Sequence, residues 1–365
     1  MSLLVKLHIK SNHLIVVGSV LVLSFLIVFV SRYNRLESSD ALIPGETTLL
    51  LHDDGKFIDL IPVLKSSGFE FDIQNYKWAM DVYGFQTYRA GRYEIDDPIS
   101  FMNFFFKLNQ GMQDPFNVVI GSGLEVDRFI QRVSSRFRFT SDELSLAMKD
   151  SVLLSELMVD APQLIGRMLP NTYEMYWTSS AEQFIRRMMQ EFDKAVLLPY
   201  SDRAAELGMT IDQITTLASI IEWEVRHVDE KPRVSGLYWN RLNRRMLLQA
   251  DPTVAYAIGE RRRLLYSDYR VDHPYNTYRV RGLPPGPLNN PRLTSIQAAL
   301  FPEKHNYLFM VATPEGYHAF TTNFQDHLRE SRKWTNWLRE QRRIRERMEA
   351  EAQAEAELQS TSTES

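Results

Sequence analysis

The sequence has no cysteine among its 365 residues. This absence excludes disulfide bridges, thiolate zinc sites, cysteine nucleophiles and a lipid-modified N-terminal cysteine. An excess of basic residues is missing too, because 42 Lys and Arg are set against 46 Asp and Glu, giving a formal net charge of −4. No global positive field attracts nucleic acid, so we expect no nucleic-acid partner.

Several catalytic motifs are also absent. The sequence contains no Gly-x-Ser-x-Gly, no Walker loop and no His-Glu-x-x-His, and its histidines lack metal-ligand spacing. Residues 121–123, Gly-Ser-Gly, resemble the start of a dinucleotide fingerprint, but Val126 occupies the third glycine position, so a turn before a helix is the better interpretation. We predict neither a cofactor nor a metal site.

One long hydrophobic run is present near the N-terminus. Residues 14–30 carry no charge, and about 17 apolar residues are just enough to cross a ~30 Å hydrocarbon layer as a helix. Lys6 and Lys10 precede the run, which favours an N-terminus inside the cell. The alternative is a cleaved signal peptide, but no small-x-small cleavage site follows Val30. We therefore predict an uncleaved single-pass anchor, with the bulk of the chain outside the cytoplasm.

Short strand-like and helix-like runs alternate after this segment. Residues 47–51 resemble a strand and precede a helical pattern that ends at Gly68, and the same order recurs over residues 91–111 and 116–133. The predicted fold class is α+β, with an N-terminal transmembrane helix, a small α+β module and a mainly helical domain with short strands. The predicted boundaries are a cytoplasmic leader at 1–13, the transmembrane helix at 14–31, a linker at 32–45, the small module at 46–112, the mainly helical domain at 113–329, and a charged helical tail with a disordered end at 330–365.

A helix in the second half of the chain carries two glutamates. Thr210-Ile211-Asp212-Gln213 is a capping-box pattern, which predicts a helix start at Thr210. Apolar residues then form one stripe between residues 214 and 225, with Glu222 and Glu224 on opposite borders, so only one carboxylate can face a given cleft. Partial burial at the edge of an apolar face raises the pKa of a carboxyl group, as a general acid requires. A surface glutamate packed against the core rim is the alternative interpretation.

Polar and aromatic residues are concentrated in the loops that follow this helix. Amide and hydroxyl groups beside aromatic rings suit sugars, which have hydroxyl groups at their edges and C–H groups on their faces. Each segment alone is also compatible with a turn or a capped helix end. The segments are Arg241-Leu242, Leu248-Gln249-Ala250-Asp251-Pro252-Thr253, Tyr275-Asn276-Thr277-Tyr278 and Gly282-Leu283-Pro284-Pro285-Gly286-Pro287.

These ordered motifs resemble those of the endolytic murein transglycosylases, the YceG-like family, over residues 46–328. The resemblance is densest in Leu217-Ala218-Ser219-Ile220-Ile221-Glu222-Trp223-Glu224 and in the loop segments above, while His318 and His327 match the family's closing pattern. It implies a single-pass protein of the cell inner membrane with a LysM-like module before a catalytic domain. The family's catalytic residue, the first glutamate of its Glu-x-Glu element, corresponds to Glu222.

The resemblance also implies the reaction, that of a lyase cleaving the β-1,4 bond between N-acetylmuramic acid and N-acetylglucosamine in peptidoglycan glycan strands. Glu222 would protonate the leaving oxygen and then deprotonate the muramic C6 hydroxyl, which attacks C1 and closes a 1,6-anhydro ring. The implied role is to limit nascent strand length beside peptidoglycan synthases or division proteins. We assign substrate positioning to Gln249, Asn276, Thr277 and Tyr278, and site orientation to Glu224 or Asp251, with Tyr275 in the same group.

Two other functions remain open at this stage. A muramidase would cleave the same bond with water in place of the C6 hydroxyl, and residue types do not separate the two reactions. A non-catalytic wall-binding scaffold of the division machinery would make Glu222 dispensable. The retained Glu222 and the loops that follow it count against the scaffold.

Overall fold

The structure, a computed structural model, describes residues 11–38, 41–45 and 48–363. Lys6, Lys10 and most of the predicted leader lie outside these residues, as do Glu46 and Thr47 at the start of the predicted small module. The predicted membrane segment forms helix α1 (Ser11–Glu37), whose side chains are exposed along the apolar run. Within the described residues, it is the one helix long and apolar enough to cross a membrane, as an anchor or a signal sequence would be.

The chain forms two compact units. The first comprises residues 1–118, 136–138 and 174–179, and the second comprises residues 119–135, 139–173 and 180–365. Besides α1, the first unit contains both strands and helices, the α+β character that the sequence predicts. Its elements are β1 (Thr48–Leu51), β2 (Gly55–Lys56), α2 (Phe57–Ser66), α3 (Ile73–Tyr83), β3 (Thr87–Tyr88), β4 (Gly91–Glu94) and α4 (Phe101–Asn109).

The first unit is built from two small antiparallel ribbons, in which β1 pairs with β4 and β2 pairs with β3. Gly68 follows α2 with a φ of 79°, the left-handed conformation that glycine adopts without strain at helix ends. Aromatic residues form the core. The Phe105 ring lies 4.8 Å from that of Phe57 and 4.9 Å from that of Tyr76, both edge to face. The Tyr76 hydroxyl donates to the Phe57 carbonyl, so its burial leaves no polar atom unsatisfied.

Helices make up most of the second unit, and the described fold is mixed but mostly helical, as predicted. Among the described residues, β7 (Phe309–Ala312) pairs antiparallel with β8 (His318–Thr321) in this unit. Strands β5 (Phe116–Val119) and β6 (Thr172–Met175) also pair, and residues 116–118 and 174–175 of these strands belong to the first unit. The remaining elements in chain order are β5 (Phe116–Val119), α5 (Val126–Ser134), α6 (Ser141–Ala147), α7 (Ser151–Glu156), α8 (Ala161–Leu164), β6 (Thr172–Met175), α9 (Ala181–Phe192), α10 (Leu198–Glu206), α11 (Ile211–Glu224), α12 (Lys231–Asn243), α13 (Asp251–Ile258), α14 (Leu293–Leu300), β7 (Phe309–Ala312), β8 (His318–Thr321) and α15 (Phe324–Thr363).

Helix α11 is the centre of the second unit. The predicted capping box is confirmed, because Thr210 Oγ1 accepts from the Gln213 amide at 3.2 Å and Gln213 Oε1 accepts from the Thr210 amide at 2.9 Å. The predicted one-sided apolar stripe is wrong, since all residues from 214 to 221 are buried. Burial of the polar ones is possible because their hydroxyls bond to their own helix, as Ser219 does to the Thr216 carbonyl at 2.7 Å. Val225, predicted as the last member of the stripe, is extended and lies beyond the helix.

The tail forms one long helix. Helix α15 begins at Phe324, before the predicted start of the tail, and continues to Thr363 through residues that the sequence predicts as disordered. Its N-terminal part packs against β7 and β8. Glu364 and Ser365 lie outside the described residues.

Candidate active site

The two glutamates at the end of α11 have different surroundings. Glu222 is enclosed: Lys231 Nζ donates to its Oε2 at 2.9 Å and Ser295 Oγ donates to the same oxygen at 2.6 Å. The Arg292 backbone amide lies 3.4 Å from that oxygen, and Arg292 Nε lies 3.6 Å from Oε1. The side chains of Glu222 and Lys231 are 5% and 2% exposed. Glu222 therefore joins α11 to the start of α12 and to α14 through a buried ion pair.

Glu224, the last residue of α11, lines a cavity of about 480 Å³. That volume lies in the range of small-molecule pockets. Carboxylate, amide, phenol, imidazole and indole groups all contribute to its wall. The lining residues are Glu224, Leu237, Tyr238, Arg241, Leu248, Gln249, Asp251, Tyr278, Phe309, Met310, Val311, Ala312, His318, Phe324, His327 and Trp334.

The cavity environment favours a protonated Glu224. Burial raises the pKa of Glu224 to about 8, the negative charge of Asp251 contributes to the increase, and the positive charge of Arg241 opposes it. A carboxyl group with this pKa carries its proton at neutral pH and can donate it. Perturbed groups of this kind are typical of catalytic sites.

Asp251 lies at the start of α13 and is held by two phenols. Tyr278 Oη donates to its Oδ1 at 2.6 Å, and Tyr269 Oη donates to its Oδ2 at 3.4 Å. The Tyr269 and Tyr278 rings meet edge to face with centroids 4.6 Å apart. Burial, followed by the Asp251 charge, raises the pKa of Tyr278, so this phenol remains a donor. The predicted residues Asp251 and Tyr278 thus share the wall with Glu224.

Gln249 has a strained backbone at the cavity wall. Its φ is 50°, in the left-handed region that non-glycine residues rarely adopt. The Gln249 amide donates to the Thr277 carbonyl at 3.2 Å, and Arg241 Nη1 donates to the Leu248 carbonyl at 2.6 Å. These two hydrogen bonds hold the loop of Leu248 and Gln249 in the wall of the cavity.

Three of the predicted residues do not line this cavity. Asn276 and Thr277 are buried; Asn276 Nδ2 donates to the Val271 carbonyl at 2.8 Å, and Thr277 Oγ1 accepts from the Ala250 amide at 3.0 Å. Tyr275 packs its ring against Tyr256 with centroids 4.5 Å apart. The contacts recorded for these three side chains are with neighbouring protein groups, and none of the three lines the cavity.

Sequence reasoning missed several residues of the site. No local sequence pattern indicated a role for Lys231, Tyr238 or Trp334. Arg241 and His318, in contrast, lie in segments that carry the family resemblance. His318 Nδ1 lies 2.8 Å from Oε2 of the buried Glu230, and its amide donates to Glu230 Oε1 at 2.7 Å. In residues 11–38, 41–45 and 48–363, no cluster of three or more His, Asp or Glu side chains is arranged to bind a metal ion.

Comparison with known proteins identifies the family. Two curated relatives are both named endolytic murein transglycosylase. One, from Bacillus subtilis, is 26% identical over 268 residues, covering 69% of this chain and 74% of its own. The other, from Streptococcus pneumoniae, is 26% identical over 272 residues, covering 66% of this chain and 49% of its own, so this chain spans about half the length of that relative.

Structure and family profile agree with these relatives. A crystal structure described as a yceG-like protein from Listeria monocytogenes is 27% identical with a TM-score of 0.54, over 77% of this chain and 98% of that one. The profile of the YceG-like family matches residues 53–333, most of the chain. This protein therefore belongs to the YceG-like family.

Proposed function

We propose that this protein is an endolytic peptidoglycan lytic transglycosylase in which Glu224 is the acid and base. The observation that carries the proposal is the location of Glu224: its carboxyl group lines the cavity, and burial raises its pKa to about 8. Relatives named endolytic murein transglycosylase support the reaction class. The polar and aromatic wall suits a sugar substrate.

In the proposed reaction, one carboxyl group acts twice. The Glu224 proton passes to the glycosidic oxygen, the bond to the muramic C1 breaks, and N-acetylglucosamine leaves as the alcohol. The Glu224 carboxylate then removes the proton from the muramic C6 hydroxyl, whose oxygen attacks C1 and closes the 1,6-anhydro ring. Glu224 ends protonated, as it began, and no water is consumed.

The assignment of the catalytic role to Glu222, which the family resemblance implies, remains the competing prediction. Against it stands the geometry: Glu222 Oε2 already accepts from Lys231 Nζ at 2.9 Å and from Ser295 Oγ at 2.6 Å, and Glu222 does not line the cavity. We propose instead that Glu222 fixes the end of α11 through Lys231 and Ser295, and so positions Glu224.

The two assignments are separated by Glu224→Gln and Glu222→Gln in the full chain, each incubated in detergent with purified peptidoglycan. Mass spectrometry of the products is expected to show 1,6-anhydromuramic ends from the wild type and none from Glu224→Gln at unchanged thermal stability. Glu222→Gln, and the double variant Glu222→Gln/Lys231→Met that removes both charges of the ion pair, are expected to keep the same product at reduced yield.

Other results point to other functions. Activity in Glu224→Gln, with loss in both Glu222 variants at wild-type stability, would assign the reaction to Glu222. Reducing muramic ends would identify a muramidase. Binding to sacculi without cleavage by the wild type would identify a wall-binding scaffold.

The wider role is also part of the proposal. We propose that α1 anchors the protein in the cell inner membrane, with both units outside the cytoplasm, and that cleavage limits the length of nascent strands beside the synthases. The first unit would be the LysM-like module. Its support is the small strand–helix–helix–strand arrangement in which β1 and β4 enclose α2 and α3 in sequence and pair with each other.

A further inference from the structure

One face of helix α15 forms part of the wall of the Glu224 cavity. Phe324, His327 and Trp334 all line that cavity. Their spacing of three and seven residues places them on the same side of an α-helix. The helix is anchored there because its N-terminal part packs against β7 and β8. A residue on this face therefore has a defined position relative to the cavity.

Trp334 is held in place by a second tryptophan. The rings of Trp334 and Trp337 are stacked, with centroids 5.0 Å apart and planes inclined by 15°. Both side chains are only partly buried, and the helix around them is strongly charged. Neither ring belongs to the hydrophobic core of the second unit. Core packing therefore does not explain a pair of tryptophans at this position, and Trp334 lies just beyond residues 53–333 that match the family.

The same cavity contains buried polar atoms that lack partners. Tyr238 Oη and His327 Nδ1 are both buried, and neither has a hydrogen-bond partner among the described residues. A buried polar atom left unpaired costs about 1–3 kcal/mol. Both residues line the cavity. A ligand with hydroxyl groups would satisfy these atoms, whereas an apolar ligand would not.

We propose that Trp334, supported by Trp337, is a sugar-stacking subsite in the Glu224 cavity that binds one pyranose ring of the glycan strand. The C–H face of a pyranose packs against an indole ring, and its hydroxyl groups extend from the edge. To Tyr238 and His327, which line the same cavity and each hold an unpaired polar atom, we assign the hydrogen bonds to those hydroxyl groups. The inference rests on the proposed function, since it identifies the ligand of the same cavity as a glycan.

The subsite is tested by measuring how purified, peptide-free glycan strands bind to the full chain in detergent. The variants are made on a Glu224→Gln background, so that the strands are not consumed. Trp334→Leu keeps an apolar side chain on α15 but removes the flat ring, and Trp334→Phe keeps a smaller ring. Leu338→Ala is the matched control, because Leu338 is 40% exposed on the same helix and does not line the cavity.

We expect Trp334→Leu to weaken binding about tenfold, which corresponds to roughly 1.4 kcal/mol. Trp334→Phe should recover part of the loss, and Leu338→Ala should bind like the parent. In the active chain, Trp334→Leu should raise KM with kcat and the 1,6-anhydro product unchanged, because stacking contributes to binding of the ground state and the transition state alike. Equal thermal unfolding of the three variants excludes a folding defect as the cause.

Normal binding by Trp334→Leu would overturn the subsite, even if Trp334→Ala binds weakly, because a packing role survives in leucine. That result would leave the proposed function intact. If Glu224→Gln still cleaves the strands, the assignment of Glu224 fails; the binding comparison is then repeated on the inactive Glu222→Gln background and still tests Trp334. Failure of one proposal is thus distinguishable from failure of the other.

Discussion

At the scale of single residues, two carboxyl groups, Glu224 and Asp251, lie in the wall of the same cavity. Burial is the main cause that raises the pKa of Glu224 to about 8, and the Asp251 charge is the second. Asp251 in turn accepts hydrogen bonds from Tyr278 and Tyr269. Burial, with a smaller contribution from Asp251, therefore favours a protonated Glu224 at neutral pH, which the proposed acid role requires.

The pH dependence of cleavage should reflect the pKa of Glu224 and its coupling to the charge of Asp251. Activity needs protonated Glu224, so kcat/KM is expected to be high below the pKa of about 8 and to fall as the pH rises through it. Asp251→Asn removes a charge that raises this pKa, so the fall should move to lower pH. A pH profile of anhydromuramic product formation measures the shift.

The matched control is Asp272→Asn, which makes the same chemical change on a side chain that is 98% exposed. It should leave the profile unchanged. A profile that does not move in Asp251→Asn, or that moves to higher pH, would contradict the coupling of Asp251 to Glu224.

The contrast between Glu222 and Glu224 shows where sequence reasoning reaches its limit. The sequence correctly placed both on one helix, and helical geometry correctly kept them on different sides. Which one is held in an ion pair depends on Lys231 and is reinforced by Ser295, which lies 73 residues away from Glu222 in the chain. No local pattern reports such a contact. The substrate positioning predicted for Asn276 and Thr277 stays a prediction, and residue type did not reveal that both side chains are buried.

At the scale of secondary structure elements, the Glu222–Lys231 pair connects three helices. Removing one partner of a buried ion pair typically costs about 3–5 kcal/mol, because the other charge stays buried and uncompensated. We therefore expect Glu222→Gln to lower the thermal unfolding temperature of the second unit clearly. Glu222→Gln/Lys231→Met should recover much of that loss, because no charge is left unpaired. Scanning calorimetry of the full chain measures both.

Glu303→Gln provides the comparison for this prediction. It breaks the ion pair with Arg233, in which the Arg233 and Glu303 side chains are 46% and 39% exposed. Exposed ion pairs contribute only about 0–1 kcal/mol to the free energy of unfolding. Similar losses in Glu222→Gln and Glu303→Gln would show that the buried pair does not join the helices. A double variant less stable than Glu222→Gln would lead to the same conclusion.

The predictions for the elements succeeded where the signal is local. The capping box at Thr210 and the glycine after α2 were both read from a few adjacent residues. The predicted one-sided apolar stripe on α11 is wrong because of tertiary packing, since other helices surround α11. The hydroxyl groups of residues such as Thr216 and Ser219 form hydrogen bonds within the helix, so these residues can be buried. On α11, the positions of polar residues therefore do not indicate which side of the helix is exposed to solvent.

At the scale of the whole molecule, composition and motif order predicted an N-terminal apolar helix followed by a mixed, mostly helical fold, and both are confirmed. The contribution of α15 to the cavity was not predictable. The tail has the composition of a solvated helix, and its approach to Glu224 arises from packing against β7 and β8. A charged segment can therefore contribute residues to a cavity wall although its composition does not indicate this.

The orientation of the chain in the membrane provides the last prediction. Helix α1 leaves its apolar side chains exposed over Leu14 to Val30, a length that suits a ~30 Å hydrocarbon layer. We expect the full chain to stay with membranes after an alkaline carbonate wash. A mass spectrum of the purified protein should show the intact N-terminus, because no cleavage site follows the apolar run.

The absence of cysteine makes the topology directly measurable, since a single introduced thiol is the only one that reacts. Asp272→Cys places it on a 98% exposed side chain of the second unit, and Ser2→Cys places it before α1. A membrane-impermeant maleimide applied to spheroplasts is expected to label the first variant at once and the second only after lysis. The reverse labelling pattern would show the opposite topology, in which the cavity is separated from peptidoglycan. A truncated protein that the carbonate wash extracts would instead identify α1 as a signal sequence.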